Sequence, residues 1–521
     1  MRRFTTVAAL AASVVLRALP VAAETVTLKS FDNTIALRGE LLSFDGEAYH
    51  LNTAIGELKI DALQVTCEGP GCPPEDLLRS VFRISGSSTI GAGLMPALIE
   101  AYGYSLDADI LREATGGEET RFILKGAEER PLAEVTLAAP GSNRAFEELL
   151  SRASAIGMAS RRIRDREAAA MRTAGLGDLE SDANEHIVAL DGIAAIVSRE
   201  NPLPALSVAD LAAIFGGRIT NWSQIGGRDA PINVYVSNPQ QGTRDAFDAL
   251  VMRPYNVEMA ATAREFASHD DVADAVAKDP DGIGFVGLAF VRNARSVPIR
   301  LECGLIAIPE PFAIKTEEYP LARRLYLYTT DQPMPPHARR LIDFALSEPA
   351  QDVITDAGFV DQRISTLGLD RQGLRLAATL LQEQAEVSVN EVRDMLAVLV
   401  NAERLSTTLR FEPGVSALDA RARGDIRRLA DQIAAGRFAG REVLVIGFTD
   451  AVGRADLNRA LSIRRAEQVR EALVAALPPG APDNAALTVL GFGEMSPVGC
   501  NETFDGRRTN RRVEVWVRDR V

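Results

Sequence analysis

The chain has 521 residues, with 57 Lys and Arg against 71 Asp and Glu, and a formal charge of -14 at pH 7. Its length exceeds one ordinary domain, and an apolar share of 46% allows several buried cores. The acidic balance, with no basic stripe to offset it, argues against nucleic acid as a partner.

The first residues read as a processing segment. Arg2 and Arg3 open it, an apolar run covers Val7 to Leu16, and Val21-Ala22-Ala23 offers small residues for cleavage. About ten apolar residues cannot span roughly 30 Å of hydrocarbon, so residues 1–23 are expected to be an export signal and not an anchor. Four Cys follow, none beside the cut, which argues against lipid attachment there. In Cys67-Glu68-Gly69-Pro70-Gly71-Cys72 the Gly and Pro residues allow a tight loop, and an oxidising compartment favours a Cys67–Cys72 disulfide over free thiols or half a metal site. Cys303 and Cys500 have no His or Cys neighbour at ligand spacing, which argues against zinc; sequence leaves their pairing open.

Residues 24–75 alternate in the period of strands: Val26 and Leu28, Ile35 and Leu37, Leu41, Tyr49 and Leu51, Leu58 and Ile60. Turns at Asp32-Asn33, Asp45-Gly46 and Gly56 separate them, so a small all-β domain of four or five strands is expected, with a docking or spacer role. Residues 76–365 alternate strands with helices, the pattern of an α/β domain. The strands are Phe82 to Ser85, Glu134 to Ala138, Ala155 to Ala159, Ile187 to Leu190, Ile193 to Val197 and Ile232 to Val236, and a helix is expected from Leu94 to Tyr102. Residues 366–404 carry Leu374, Ala377, Ala378, Leu380, Leu381, Met395, Leu396, Val398 and Leu399 at helical spacing and predict a helical linker. Residues 405–521 make a C-terminal module.

Three strand-to-helix switches in the middle region could hold an anion. They are Ser85-Gly86-Ser87-Ser88-Thr89, Gly141-Ser142-Asn143 and Gly242-Thr243-Arg244-Asp245-Ala246-Phe247. Free N–H groups and hydroxyls at a helix start attract negative charge, Thr243 can cap its helix, and Arg244 can pair with an oxyanion.

With Ile156-Gly157-Met158-Ala159-Ser160-Arg161, Asp191-Gly192-Ile193-Ala194, Leu211 to Gly217 and Ile219-Thr220-Asn221-Trp222, these segments resemble the phosphate-binding-protein-like family of periplasmic solute-binding proteins. The resemblance implies two α/β lobes joined by a hinge, a type II-like fold that closes over its ligand. It places Ser87, Ser88, Thr89, Ser142, Ser160, Gly242, Thr243 and Arg244 in the cleft. Two departures count against phosphate itself: Gln241-Gly242-Thr243 replaces a Ser-Gly-Thr, and Arg161 stands where the family carries an Asp that accepts a proton from the ligand. Arg161 is expected to favour any anion, whether phosphate, another oxyanion or a carboxylate. The resemblance also implies an ABC permease as a possible partner. A ligandless scaffold that docks a protein is the alternative.

In the C-terminal module, Gly447-Phe448-Thr449-Asp450, Asn458, Leu461-Ser462-Ile463-Arg464-Arg465-Ala466 and Gly506-Arg507-Arg508-Thr509-Asn510-Arg511-Arg512-Val513-Glu514 resemble the OmpA C-terminal family, which grips peptidoglycan. The resemblance implies an α/β sandwich that binds the diaminopimelate of the peptide stem. Asp450 would meet its amine and Arg465 its carboxylate, with Asn458 and Arg512 supporting. The whole is then an α/β multidomain protein of the periplasm of a Gram-negative bacterium, held to the cell wall. No cofactor or metal is expected. His50, His186, His269 and His337 sit in no nucleophile motif, and Gly-x-Ser-x-Gly, Ser-x-x-Lys and His-Glu-x-x-His do not occur, so no enzymatic activity is expected.

Overall fold

The structure, a computed structural model, describes residues 25–30, 34–44, 48–62, 64–73, 79–116, 119–126, 129–238, 242–373, 375, 387–411, 420–479 and 486–520. The expected export segment, the turns at Asp32-Asn33 and Asp45-Gly46, and Gln241 lie outside the described residues. The chain divides into two compact units, residues 1–80 and 81–521.

In the first unit, β1 (Thr25–Ser30), β2 (Ala36–Phe44), β3 (Ala48–Thr53), β4 (Gly56–Asp61) and β5 (Val65–Glu68) form one antiparallel sheet in the order β4-β3-β2-β1-β5. Alternate residues Val26, Leu28, Tyr49 and Leu51 turn to one face and make its core with Ala62 and Val65. Cys67 and Cys72 are joined by a disulfide beside that core.

The second unit begins with β6 (Ser80–Gly86), whose first residue is the last of the preceding unit, then β7 (Asp109–Gly116), β8 (Glu119–Lys125), β9 (Pro131–Ala138) and β10 (Ile156–Ala159). After them come β11 (Glu185–Val197), β12 (Asn233–Ser237), β13 (Arg264–Phe266), β14 (Gly282–Gly287) and β15 (Arg295–Ser296). A short ribbon, β16 (Ile299–Arg300) with β17 (Ile306–Ala307), precedes β18 (Ala322–Tyr328). The main sheet runs β13-β12-β14-β11-β18-β10-β6-β9-β8-β7, with β15 also on β11. β11 makes this two lobes. Its first half pairs antiparallel with β18, from Glu185↔Tyr328 to Gly192↔Ala322, and its second half pairs with β14, from Ile193↔Gly287 to Val197↔Ile283. One strand thus crosses between the lobes at Asp191–Ile193.

The C-terminal sheet has the order β19-β20-β23-β21-β22, built from β19 (Thr366–Gly368), β20 (Ala402–Arg410), β21 (Arg441–Phe448), β22 (Ala486–Gly491) and β23 (Arg512–Asp519). Its strands alternate strictly. Val443, Val445, Val513, Val515 and Val517 face helices Ala420–Ala434 and Ala455–Ala476, whereas Leu444, Ile446, Phe448 and Trp516 face helix Val389–Leu399. Both faces are covered, so β21 reads as a continuous apolar run from Val443 to Ile446.

The expected linker is corrected here. Within 366–404, β19 pairs with β20, and Val392, Met395 and Leu399 are buried against the sheet, so the described part of this stretch belongs to the C-terminal domain. Leu374, Ala377, Ala378, Leu380 and Leu381 lie outside the described residues. Cys303 and Cys500, left open by sequence, are joined across a separation of 197 residues, and the chain-entropy account of so long a loop gives a stabilisation of about 5 kcal/mol. Among the described residues no helix is long and apolar enough to cross a membrane.

The two domains of this unit meet on charge. Glu514, fully buried, takes Arg512 Nε at 2.7 Å, Arg375 Nη1 at 3.0 Å and Arg404 Nη2 at 3.2 Å, and Trp516 Nε1 donates to it at 2.9 Å. Arg404 also binds Glu318 of the two-lobed domain. Burial alone would raise the Glu514 carboxyl; Arg375, Arg404 and Arg512 instead hold it well below the usual carboxylate range. Its contribution to stability is therefore complete above the ordinary carboxylate pKa and lost only as pH falls through the depressed value in strong acid. Glu514→Leu leaves buried guanidinium charge unmatched and is expected to lower unfolding free energy by about 3–5 kcal/mol in urea denaturation at pH 7, the range for breaking a buried pair.

Candidate functional site

A cavity of about 270 Å³ lies at the lobe crossing. Ser88 and Thr89 come from the switch that follows β6, Asp191 from β11, Asn238 from just after β12, Thr243 from the start of helix Gly242–Phe247, and His269 from the start of helix His269–Lys278. Phe290, Gly358 and Phe359 complete the apolar part of the wall. The loop after β6 needs glycine at Gly86: φ is +138°, and a Cβ there would lie 2.1 Å from the Met158 carbonyl oxygen. That close approach lets Ser87 N donate to Met158 O at 2.8 Å and Gly141 N donate to Gly86 O at 2.8 Å, which knits the three loops of this lobe together.

Behind this wall, bonded to two of its residues, is Arg323, from β18. Its Nε and Nη2 donate to Asp191 Oδ2 at 3.0 and 2.7 Å, and Nη2 donates to Thr89 Oγ1 at 3.0 Å. Asp191 and Arg323 are cross-strand partners in the β11–β18 pairing, which fixes their approach. The His269 ring stacks on Phe290 with centroids 5.1 Å apart. Burial pushes the His269 imidazole below its ordinary value; Asp191 and Asp270 pull it up and Arg323 pushes it further down.

The positions expected from sequence divide. Ser88, Thr89 and Thr243 line the cavity, and Gly242 opens the helix that carries Thr243. Ser87 is buried, and its hydroxyl accepts from Ile90 N at 3.5 Å. Ser142 and Ser160 satisfy each other, hydroxyl to hydroxyl at 3.1 Å and Ser160 N to Ser142 Oγ at 3.0 Å.

Two arginines are corrected. Arg161 does not offer its charge to the cleft: Nη1 and Nη2 each reach a Glu167 oxygen at 2.8 Å, Nη2 also donates to Asn143 Oδ1 at 2.7 Å, and the guanidinium covers the Phe146 ring. A bidentate carboxylate satisfies the fork that an anion would need. Arg244 is buried against its own lobe, donating to Ser237 O at 3.3 Å and facing Asp248 at 3.4 Å. Sequence reasoning missed Asp191, Asn238 and His269 as wall residues, and Arg323 that holds Asp191 from behind. The available signal was a pair of charges, Arg323-Arg324, opening an otherwise apolar strand.

The second site is in the C-terminal domain. Gly447 lets helix Ala455–Ala476 seat on β21, since a Cβ there would lie 1.9 Å from the Ser462 carbonyl oxygen. The strand exit then carries Asp450 to the edge of the helix bearing Asn458, Ser462 and Arg465. Asp450 Oδ2 accepts from Arg511 Nη1 at 2.8 Å, and Asp450 Oδ1 accepts from Val452 N at 3.1 Å. Arg465 is buried over the Phe411 ring at 5.5 Å, and its Nη1 has no hydrogen-bond partner among the described residues. Burial lowers its pKa, Arg511 lowers it further and Asp450 opposes. Asn458 is buried, with Nδ2 3.5 Å from Glu494 Oε2.

Arg512, for which the resemblance implies a supporting role, does not touch Asp450. It is fully buried, bonded to Glu514, Asn510 O and Ser496 O, and lies 4.3 Å over the Phe448 ring. Its neighbour Arg511 is the one that reaches Asp450.

Known proteins resemble the chain in two blocks. Residues 120–349 match the PBP superfamily domain and residues 410–511 match the OmpA family. The "Phosphate-binding protein PstS" of Borreliella burgdorferi is 25% identical over 232 residues, which cover 44% of this chain and 79% of that one. "Outer membrane porin F" of Pseudomonas fluorescens is 36% identical over 124 residues, 23% of this chain and 35% of the relative. A solved ABC-type phosphate transport receptor from Vibrio cholerae aligns over 54% of this chain and 99% of its own at 23% identity, with a TM-score of 0.41.

A histidine titration by NMR is expected to place His269 below the ordinary pKa of about 6.5, and Asp191→Asn to lower it again by removing the charge that favours the imidazolium.

Proposed function

We propose that this chain, with its PBP superfamily domain and its OmpA family domain, binds a small oxyanion in the interlobe cleft and holds to peptidoglycan through its C-terminal site. The observation that carries the first half is the convergence of hydroxyls from both lobes, Ser88 and Thr89 from one and Thr243 from the other, on a cavity whose wall residues Asp191 and Thr89 are held by Arg323. Both Arg323 bonds to Asp191 fall on Oδ2, so Oδ1 is the oxygen that can accept a proton from a ligand hydroxyl. With Arg161 held by Glu167, its charge no longer argues for an unselective anion site; the other departure from the phosphate pattern, Gln241, lies outside the described residues. A hydrogen-bonding acceptor in the wall favours a protonated oxyanion such as hydrogen phosphate over fully ionised sulfate. Two similar proteins named as phosphate-binding support the same class.

Calorimetric titration of the full chain tests this. Inorganic phosphate is expected to bind and sulfate to bind at least about tenfold more weakly, Arg323→Gln is expected to lose at least about tenfold, and Arg161→Asp to change affinity little. A ligandless scaffold is favoured by one observation, that Asp191 already balances Arg323. Titrations silent for phosphate, sulfate and small carboxylates carry that reading instead.

For the wall, Asp450 offers a carboxylate to an ammonium, while Arg465 and Arg511 offer guanidiniums to a carboxylate, the two charges of a diaminopimelate centre. Co-sedimentation with purified peptidoglycan sacculi is expected to fall at least about tenfold in Asp450→Ala and in Arg465→Ala, each at unchanged fold by circular dichroism. Export to the periplasm and placement at the cell envelope follow from this reading. An ABC permease as recipient of the ligand is compatible with it, but the packed part of 366–404 supplies no spacer toward one.

A further inference from the structure

The expected flexible tether between the ligand cleft and the wall site is replaced by fastenings on both sides of the hinge. On the first side, the chain leaves the two-lobed domain along the hinge strand itself. Leu190 and Val360 exchange backbone hydrogen bonds at 2.9 Å, Gln362 Nε2 donates to Ile187 O at 2.6 Å, and Ser365 and Ser406 then pair the chain into the C-terminal sheet. On the other side, the turn between β16 and β17 carries Cys303, whose disulfide to Cys500 ties the second lobe to the C-terminal domain. Glu310 beyond that ribbon is paired with Arg371 at 2.7 Å.

Between these fastenings lies the crossing. Arg323 faces the cleft, while its neighbour Arg324 faces the C-terminal domain through Glu317, donating to Oε1 at 2.5 Å and to Oε2 at 3.0 Å. Glu317 in turn meets Arg421 Nη1 at 3.2 Å, and its carbonyl accepts from Arg410 Nη2 at 3.0 Å. Gly192 at the crossing is closed from behind by Ile314, whose Cδ1 lies 2.3 Å from where a Cβ would sit.

We propose that the C-terminal domain is a brace across the back of the hinge. One leg is the main chain at 360–368 and the other is the Cys303–Cys500 bond. A hinge fastened to a third body on both sides cannot swing its lobes as two free bodies, so their parting is limited to what the brace allows. Cleft opening and the C-terminal domain are then coupled elements of one mechanical unit.

Hydrogen–deuterium exchange by mass spectrometry on the full chain, without added ligand, tests the brace independently of what the cleft binds. Removing the disulfide leg with Cys303→Ser/Cys500→Ser is expected to speed exchange at least about tenfold in Asp191–Val197 and Ile283–Gly287, the strands at the crossing. Glu310→Ala, which removes only an exposed pair and leaves both covalent legs, is expected to speed the same segments by about two- to threefold. Faster exchange confined to 299–307 and 496–503 in the double variant overturns the brace. Should the double variant not fold, the wild-type chain with its Cys303–Cys500 bond reduced decides: unchanged exchange at the crossing once mass spectrometry shows the pair reduced overturns the proposal.

Discussion

Glu514, buried, and Glu318, half-buried, are carboxylates set among arginines, and Glu514 left alone would carry a desolvation cost of several kcal/mol. Arg404 binds both, which means that the two-lobed domain and the C-terminal domain complete each other's charge balance. Neither surface is suited to solvent separation once folded. This shared ion cluster explains why a chain with two recognisable blocks packs as one compact unit over residues 81–521. It also explains why 366–404 folds onto the sheet: Arg375, from within that stretch, is one of the counter-charges of Glu514.

The hinge strands convert this packing into a relation between sites. In a strand, neighbours point to opposite faces, so Arg323 and Arg324 serve different masters from adjacent positions. One holds Asp191 in the cleft, and the other holds Glu317 at the domain boundary. Where helix Phe504–Asn510 ends and β23 begins, Arg511 reaches Asp450 while Arg512 lies in the core over the Phe448 ring. In both places a double arginine is divided between a site and the scaffold that positions it.

Much of the architecture was legible from residue pattern. Leu98 and Tyr102, in the helix expected from Leu94 to Tyr102, are buried as their spacing requires. The loops with Ser88, Thr89 and Thr243 were legible because a hydroxyl at a strand-to-helix switch has a physical use. Arg161 and Arg244 were misread because a guanidinium's role depends on which carboxylate it meets. Glu167 and Asp248 are close in sequence to the arginines they hold, yet nothing local says that those carboxylates and not a ligand take the fork.

By itself, the sequence determined the order of the blocks, the strand and helix character of their parts, and the residue types gathered at each candidate site. These follow from side-chain periodicity and from turn and cap chemistry, which act within a few residues. Tertiary structure alone decided the Cys303–Cys500 pairing, the Asp191–Arg323 pair, the meeting of Arg511 with Asp450 and the docking of the C-terminal domain behind the hinge. Each is a meeting of groups 61 to 197 residues apart. Such meetings are settled by which face of a strand a side chain occupies and which buried charge remains to be matched, and both are properties of the assembled sheets.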